Sequence, residues 1–382
     1  MTRPVVVLGA TGSIGRQTLE VASRLGLPVV GLAAGRPSVE FVGLARQFPD
    51  AALAVAGGST IELTEARESL SGRRIEGGSE AVFALAGTPG VIVVNGIVGL
   101  AGLGPTLAAL AAGNRLALAN KESLVAAGDL VAAARERSGA ELIPVDSEHS
   151  AIYQCLTGEP AERLDRIWLT ASGGPFRETP LDELEDVTPQ QALRHPNWEM
   201  GRRITVDSAT LVNKGLEVIE THRLFGLSYD RISVLVHPQS VIHSMVEFSD
   251  GSVKAQLGPP DMRLPIEFAL MFPDRGTRMI DEFTWTGRSL TFEEPDPKRF
   301  PALGLAFESG RAGGSAPAVF NAADEIAVEA FLQGRLGFAG ITRVISETLE
   351  GVPWRDLPDL PSVIEVDREA REAAAALMAG AC

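Results

Sequence analysis

The sequence predicts an α/β chain with an N-terminal parallel sheet wrapped by helices, a central α+β domain and a C-terminal helical domain. Three observations predict it. Short apolar runs alternate with helical stretches over the first 145 or so residues, the pattern of a sheet covered on both faces. From about Asp146 to Phe283 the texture shifts to alternating strands, such as Val241 to Phe248, joined by longer polar loops. Beyond about Leu303 the chain reads as several short helices.

In chain order, the candidate strands of the first part are 4–9, 29–34, 52–56, 91–95, 115–119 and 141–145. The stretch from Ala81 to Asn114 carries no charge, but Pro89, Asn95 and Pro105 interrupt it. No apolar run there reaches the roughly 20 residues needed to cross a bilayer. It reads as a buried strand, Val91 to Val94, followed by a small-residue helix over about Leu103 to Ala112. The central part holds one strong helix near 208–225. The run Glu293-Glu294-Pro295-Asp296-Pro297 marks a linker, and an alanine-rich helix over roughly Asp367 to Met378 ends the chain. These readings divide the chain into 1–146, 147–283, a linker at 284–302, and 303–382.

Composition narrows the function. A chain of 382 residues, 45% hydrophobic and 22% charged, is expected to form more than one globular core. Its net charge of −15 argues against a nucleic-acid groove, so an anionic substrate must meet a local cluster of positive groups. The two cysteines, Cys155 and Cys382, have no metal-binding spacing and suit a reducing compartment, so a cytoplasmic location is expected. No signal peptide is read ahead of Val5-Val6-Val7-Leu8, and no membrane partner is expected.

The first strand runs into Gly9-Ala10-Thr11-Gly12-Ser13-Ile14-Gly15 and then a helix to about Arg24. Glycines at a strand-to-helix turn let the backbone approach a pyrophosphate, and the helix N-terminus supplies partial positive charge. This G-x-x-G-x-x-G spacing makes the domain Rossmann-like. The second strand ends at Gly35-Arg36, where an NAD site would place an acid. Arginine there favours the 2′-phosphate of NADPH, or is a solvated surface residue.

Asp146-Ser147-Glu148 follows the strand Leu142 to Val145 at a carboxyl edge where ligands of open sheets bind. On an extended segment, carboxylates at i and i+2 share a side, and with a third they suit Mg²⁺ or Mn²⁺. A helix cap or solvated turn is the plainer alternative. After Asp207-Ser208, read as caps, the helix Ala209 to Phe225 places Leu211, Val218, His222 and Phe225 on one stripe, with Asn213 and Glu217 on another face and Lys214 between. Ser208 at its start suits a phosphate; a surface Lys-Glu pair is the alternative. Ala171-Ser172-Gly173-Gly174-Pro175 can nest an anion. The loop Arg194 to Gly201 carries His195 and Trp198, either as a lid or as a loop anchored by its tryptophan. His149, His222, His237 and His243 are read as structural.

Together with Ala119-Asn120-Lys121-Glu122-Ser123, Pro144 to His149, Ser172 to Phe176, His195 to Trp198, Val206 to Thr210 and Asn213 to Glu217, the glycine turn closely resembles the 1-deoxy-D-xylulose 5-phosphate reductoisomerase family. The resemblance spans the chain and extends to His237-Pro238-Gln239-Ser240 and Asp261-Met262-Arg263. It implies an NADPH-dependent, homodimeric enzyme that needs a divalent cation. That enzyme converts 1-deoxy-D-xylulose 5-phosphate to 2-C-methyl-D-erythritol 4-phosphate in the non-mevalonate route to isoprenoid precursors. Thr11, Gly12, Ser13, Ile14, Gly35, Arg36, Asn120, Glu122 and Gly201 fall on the family's NADPH positions. Asp146, Glu148 and Glu217 fall on its metal ligands. Lys121, Ser147, Glu148, Ser172, His195, Ser208, Asn213, Lys214 and Glu217 fall on substrate positions, and Lys121, Asp146, Glu148, His195 and Glu217 are the expected catalytic set. Two departures stand out: Arg36 replaces a common lysine, and Pro37 replaces a common asparagine, removing an amide and a backbone N–H at the adenosine end. Two other readings stay open on the residues alone: an NADP-dependent semialdehyde or homoserine-type dehydrogenase, and a dinucleotide sensor without catalysis.

Overall fold

A computed structural model describes residues 3–198 and 200–379; Glu199 and Cys382 lie outside the described residues. The chain forms two compact units. One comprises residues up to Ser123 with Asp129–Ser150 and Met262–Glu282; the other comprises Leu124–Gly128, Ala151–Asp261 and the chain from Phe283.

The first unit is built on a parallel sheet of β1 (Val5–Leu8), β2 (Val29–Ala34), β3 (Ala52–Val55), β4 (Glu76–Gly77), β5 (Ile92–Asn95), β6 (Arg115–Leu118) and β7 (Leu142–Pro144). Their order is β4-β3-β2-β1-β5-β6-β7. β1 is buried along its whole length, which is why it is a continuous Val-Val-Val-Leu run and not an alternating one. The helix Ser13–Arg24 follows β1 directly. A capping box starts the helix Thr60–Ser69, with the Glu62 N–H donating to Ser59 Oγ at 3.2 Å and the Ser59 N–H donating to Glu62 Oε2 at 2.6 Å. The Met262–Glu282 segment joins this unit late in the chain. Its helix Arg263–Met271 packs on Ser13–Arg24, with Arg263 paired to Glu20 at 3.1 Å. Arg115 adds a bond from Nη1 to the Phe272 carbonyl at 2.6 Å.

The second unit centres on a four-stranded sheet, β11-β10-β8-β9, formed by β8 (Leu164–Ala171), β9 (Ile232–Val236), β10 (Ile242–Phe248) and β11 (Val253–Leu257). β10 runs antiparallel to β8 and β11, while β8 and β9 are parallel. Among the described residues, four helices follow the second sheet late in the chain: Pro301–Ala312, Ala316–Leu332, Phe338–Gly351 and Leu360–Ala379. Phe320, Phe331 and Ile345 from these helices share one apolar core with Ile167 and Leu169 of β8 and Val218. The terminal helix begins at Leu360, earlier than Asp367, because Pro361 sits in its first turn, where no N–H is required. Cys155 is buried, and burial pushes its thiol up to about 11, so it is an inert core residue. Among the described residues, no helix is long and apolar enough to cross a membrane.

Candidate active site

The glycine turn adopts the backbone its sequence demands. Gly9 has φ +75°, and a Cβ there would lie 2.7 Å from the Gly96 carbonyl oxygen. At Gly15 a Cβ would meet the Gly9 carbonyl and the Ala10 backbone. Gly12, by contrast, caps the helix Ser13–Arg24 without any side-chain bond and is exposed along with Ser13, while Thr11 and Ile14 are half-buried. The N-terminal N–H groups of that helix are therefore available to an anion. Gly35 and Arg36 are also exposed, at the end of β2.

The other first-unit candidates cluster beyond β6 and β7. Asn120 caps the helix Lys121–Ser138, its Oδ1 accepting the Ser123 N–H at 3.2 Å. Its Nδ2 donates to the carbonyls of Ile97 at 2.7 Å and Gly99 at 2.9 Å, and Glu122 Oε1 accepts the Gly99 N–H at 2.9 Å. Asn120 and Glu122 thus face the loop after β5. Lys121 is buried and reaches Asp146, with Nζ 2.5 Å from Oδ2. Asp146 and Glu148 are not on an extended segment: the helix Ser147–Leu156 starts between them, and the Asp146 carbonyl accepts the Ser150 N–H at 2.8 Å. Asp146 precedes the first turn and Glu148 lies in it, where the helix dipole favours negative charge. Ser147 Oγ donates to Glu148 Oε2 at 2.5 Å. His149, read as structural, is fully buried and places Nδ1 4.0 Å from Asp146 Oδ2.

In the second unit the expected single helix over 209–225 is two helices, Arg202–Thr210 and Val212–Phe225, broken at Leu211 with φ +57°. Ser208 is accordingly not an N-terminal residue but lies in the last turn of the first helix. Leucine in the left-handed region costs about 1–2 kcal/mol. Its buried side chain holds it there, and the second helix approaches Pro301–Ala312 closely because Gly215 leaves room for Ala306. The break separates Ser208 from Asn213, Lys214 and Glu217. Those three form a tight group in which Asn213 Nδ2 and Lys214 Nζ both donate to Glu217. Glu217 is 1% exposed and Lys214 3%, so this is a buried pair rather than the surface pair of the alternative reading.

Three of the substrate-type residues meet around one imidazole. His195 Nε2 lies 3.0 Å from Ser172 Oγ and 3.2 Å from Ser208 Oγ. Its Nδ1 accepts the N–H groups of Asn197 at 3.2 Å and Trp198 at 3.0 Å, so the ring hydrogen sits on Nε2. The Gly174 N–H donates to Ser172 Oγ at 3.2 Å. Asn197 anchors the loop through Nδ2 to the Pro238 carbonyl at 2.7 Å and Ser240 Oγ at 2.9 Å, and the Trp198 ring lies 6.0 Å from that of His243. Gly201 is the exposed cap of the helix Arg202–Thr210. A cavity of about 440 Å³ opens beside the cluster, lined among others by Ser172, Arg177, Arg194 and Pro196.

Burial lowers the His195 pKa from 6.5 to about 4. The folded protein keeps this ring neutral where the unfolded chain protonates it, so its contribution to stability is full above pH 6.5 and is lost as pH falls towards 4. The urea midpoint is expected to drop across that window, and the drop to shrink in H195Q. An identical pH profile in the variant would show that another group governs it.

A parallel sheet with a glycine turn after β1, and with Lys121, Asp146 and Glu148 beyond β6 and β7, has the features of the dinucleotide-binding α/β oxidoreductases. Three family models match: 1-deoxy-D-xylulose 5-phosphate reductoisomerase over residues 5–128, its C-terminal domain over 142–225, and the DXP reductoisomerase C-terminal domain over 257–373. The 1-deoxy-D-xylulose 5-phosphate reductoisomerase of Pelotomaculum thermopropionicum is 51% identical over 374 residues, covering 96% of each chain. The solved reductoisomerase from Zymomonas mobilis in complex with NADPH has 44% identity and a TM-score of 0.92, covering 99% of each chain. A solved DOX-P reductoisomerase in complex with NADPH, fosmidomycin and magnesium has 36% identity and a TM-score of 0.93, covering 98% of each chain. The chain belongs to the 1-deoxy-D-xylulose 5-phosphate reductoisomerase family.

Proposed function

We propose that this chain is an NADPH-dependent reductoisomerase that converts 1-deoxy-D-xylulose 5-phosphate to 2-C-methyl-D-erythritol 4-phosphate, acting as a homodimer in the cytoplasm and supplying isoprenoid precursors. The observation that carries the reading is that one parallel sheet presents both a glycine turn, after β1, and an acidic turn, after β7, along the same carboxyl edge. By role, residues 1–146 bind NADPH, 147–283 bind metal and substrate, 284–302 link, and 303–382 form the helical domain.

The donor chemistry fits the two cofactors. Carboxylates alone, from Asp146, Glu148 and Glu217, suit a hard cation such as Mg²⁺ or Mn²⁺. The turn Thr11 to Ile14, with Gly35, Arg36, Asn120, Glu122 and Gly201, would hold NADPH, and Arg36 suits its 2′-phosphate. When bound, the cation supplies Lewis acidity for the skeletal rearrangement and NADPH supplies the hydride. The chain's own groups bind and orient. Lys121 sets its ammonium 2.5 Å from the Asp146 carboxylate and holds that side chain in place. Ser172, Ser208, Asn213 and Lys214 take the phosphate, which fixes the distant reacting carbons. Ser147 and His195 orient the sugar, and the Trp198 loop excludes water above it.

The test is NADPH absorbance decay with 1-deoxy-D-xylulose 5-phosphate and Mg²⁺ or Mn²⁺. Decay should stop with EDTA and return with excess metal. Decay indifferent to chelator would favour the dehydrogenase reading, and NADPH binding without decay would favour a sensor.

A further inference from the structure

The first sheet changes direction between β1 and β5, because the chain runs outward from β1 to β4 and returns at β5. Ligands of open sheets bind in the crevice at such a switch point. One wall of that crevice is the glycine turn, and the other is the loop after β5, residues 96–102. The two walls touch: a Cβ on Gly96 would lie 3.2 Å from the Ile14 side chain, and Gly9 meets the Gly96 carbonyl.

A buried polar cluster holds the second wall, and Asn95 is its centre. The Asn95 carbonyl accepts the N–H groups of Ala119 at 3.0 Å and Asn120 at 3.1 Å. Its Oδ1 accepts the Ile97 N–H at 3.2 Å, and Nδ2 donates to the Gly102 carbonyl and to Thr106 Oγ1, both at 2.9 Å. Thr106 Oγ1 lies 3.3 Å from Ser123 Oγ, which in turn donates to Asn120 Oδ1. Asn120 then returns to Ile97 and Gly99, closing the circuit around the loop. Asn95, Thr106 and Ser123 are all fully buried, so none of them reaches a ligand directly.

We propose that Asn95 and Thr106 are positioning residues for the cofactor crevice, setting the loop after β5 against the glycine turn and, through Ser123 and Asn120, fixing the start of the helix that carries Lys121. This rests on the reading of the chain as an NADPH-dependent enzyme. Neighbouring positions on β5 are apolar, so an asparagine closing that strand is not required by the sheet itself. Its carbonyl and both side-chain polar atoms instead make five hydrogen bonds, to Ala119, Asn120, Ile97, Gly102 and Thr106.

T106V keeps the side-chain shape and removes the hydroxyl; T106S keeps the hydroxyl. One lost buried hydrogen bond should raise the KM for NADPH about fivefold or more in T106V, with the KM for the sugar phosphate within about twofold and T106S close to the parent. A parental NADPH KM in T106V overturns the proposal. So does an equal rise in both KM values that T106S fails to rescue, since that is general loosening. If T106V does not fold, S123A breaks the same chain one link further on and is read the same way. If the parent protein oxidises no NADPH, the reaction assignment fails by itself, and direct NADPH titration by fluorescence of the parent, T106V and T106S decides the positioning role with the same outcomes.

Discussion

E217Q is expected to bind NADPH within about twofold of the parent while losing on the order of a thousandfold in turnover, the equivalent of about 4 kcal/mol of transition-state stabilisation. Glu217 is 1% exposed and receives bonds from Asn213 and Lys214, so glutamine fits the space but withdraws a full negative charge. The glycine turn proposed to bind the cofactor belongs to the other compact unit, which is why cofactor affinity should be spared. Removing one partner of a buried pair can cost about 3–5 kcal/mol of stability, so the assay needs a thermal melt beside it. A folded E217Q with normal turnover would remove Glu217 from the metal and substrate site.

The second large effect is expected from G15A. A single methyl group there runs into the Gly9 carbonyl and the Ala10 backbone, and neither is a flexible side-chain tip that can swing away. The turn must open, and NADPH affinity should fall about a hundredfold or more as the backbone N–H groups lose their convergence. G43A is the control. Gly43 lies in the helix Val39–Gln47 with nothing within 4 Å of an added Cβ. That change should leave affinity alone and add about 0.5–1 kcal/mol of stability. Fluorescence titration with NADPH separates the two, and parental affinity in G15A would show that the turn does not bind the cofactor.

Local signals made the first sheet legible. Val5–Leu8, Val29–Ala34 and Ile92–Val94 are apolar runs in the interior of the sheet, and every strand of this sheet lies within an expected range except the two-residue β4, Glu76–Gly77, which is too short to leave a pattern. The break at Leu211 was hidden because a left-handed leucine is imposed by tertiary packing and has no composition of its own. The grouping of Met262–Glu282 with the first unit was equally invisible, since its contacts to Glu20 and Arg115 span long separations in sequence. The hydroxyl and imidazole cluster shows the same limit. Ser172, His195 and Ser208 come from a turn, a loop and a helix, and nothing in their spacing brings them together. Only the joint resemblance of several short motifs pointed there. Asn95 reads in the sequence only as an interruption of an apolar stretch, and Thr106 is one polar residue in a small-residue helix with no signal of its own.

The hydrogen bonds at Ser172 also decide what kind of chemical group can enter beside it. A hydroxyl has two lone pairs and one hydrogen. The Gly174 N–H takes one lone pair, and the one imidazole hydrogen on His195 Nε2 is shared between the hydroxyls of Ser172 and Ser208, so a Ser172 hydroxyl that accepts it is left to donate. A group offering oxygen lone pairs, charged or not, meets a hydroxyl able to donate to it, whereas an ammonium or an amide N–H of similar size must compete with Gly174 and His195 for the same oxygen. Selection between sugar phosphates and amino sugars would begin at this one atom, through the direction of a proton and without any steric gate.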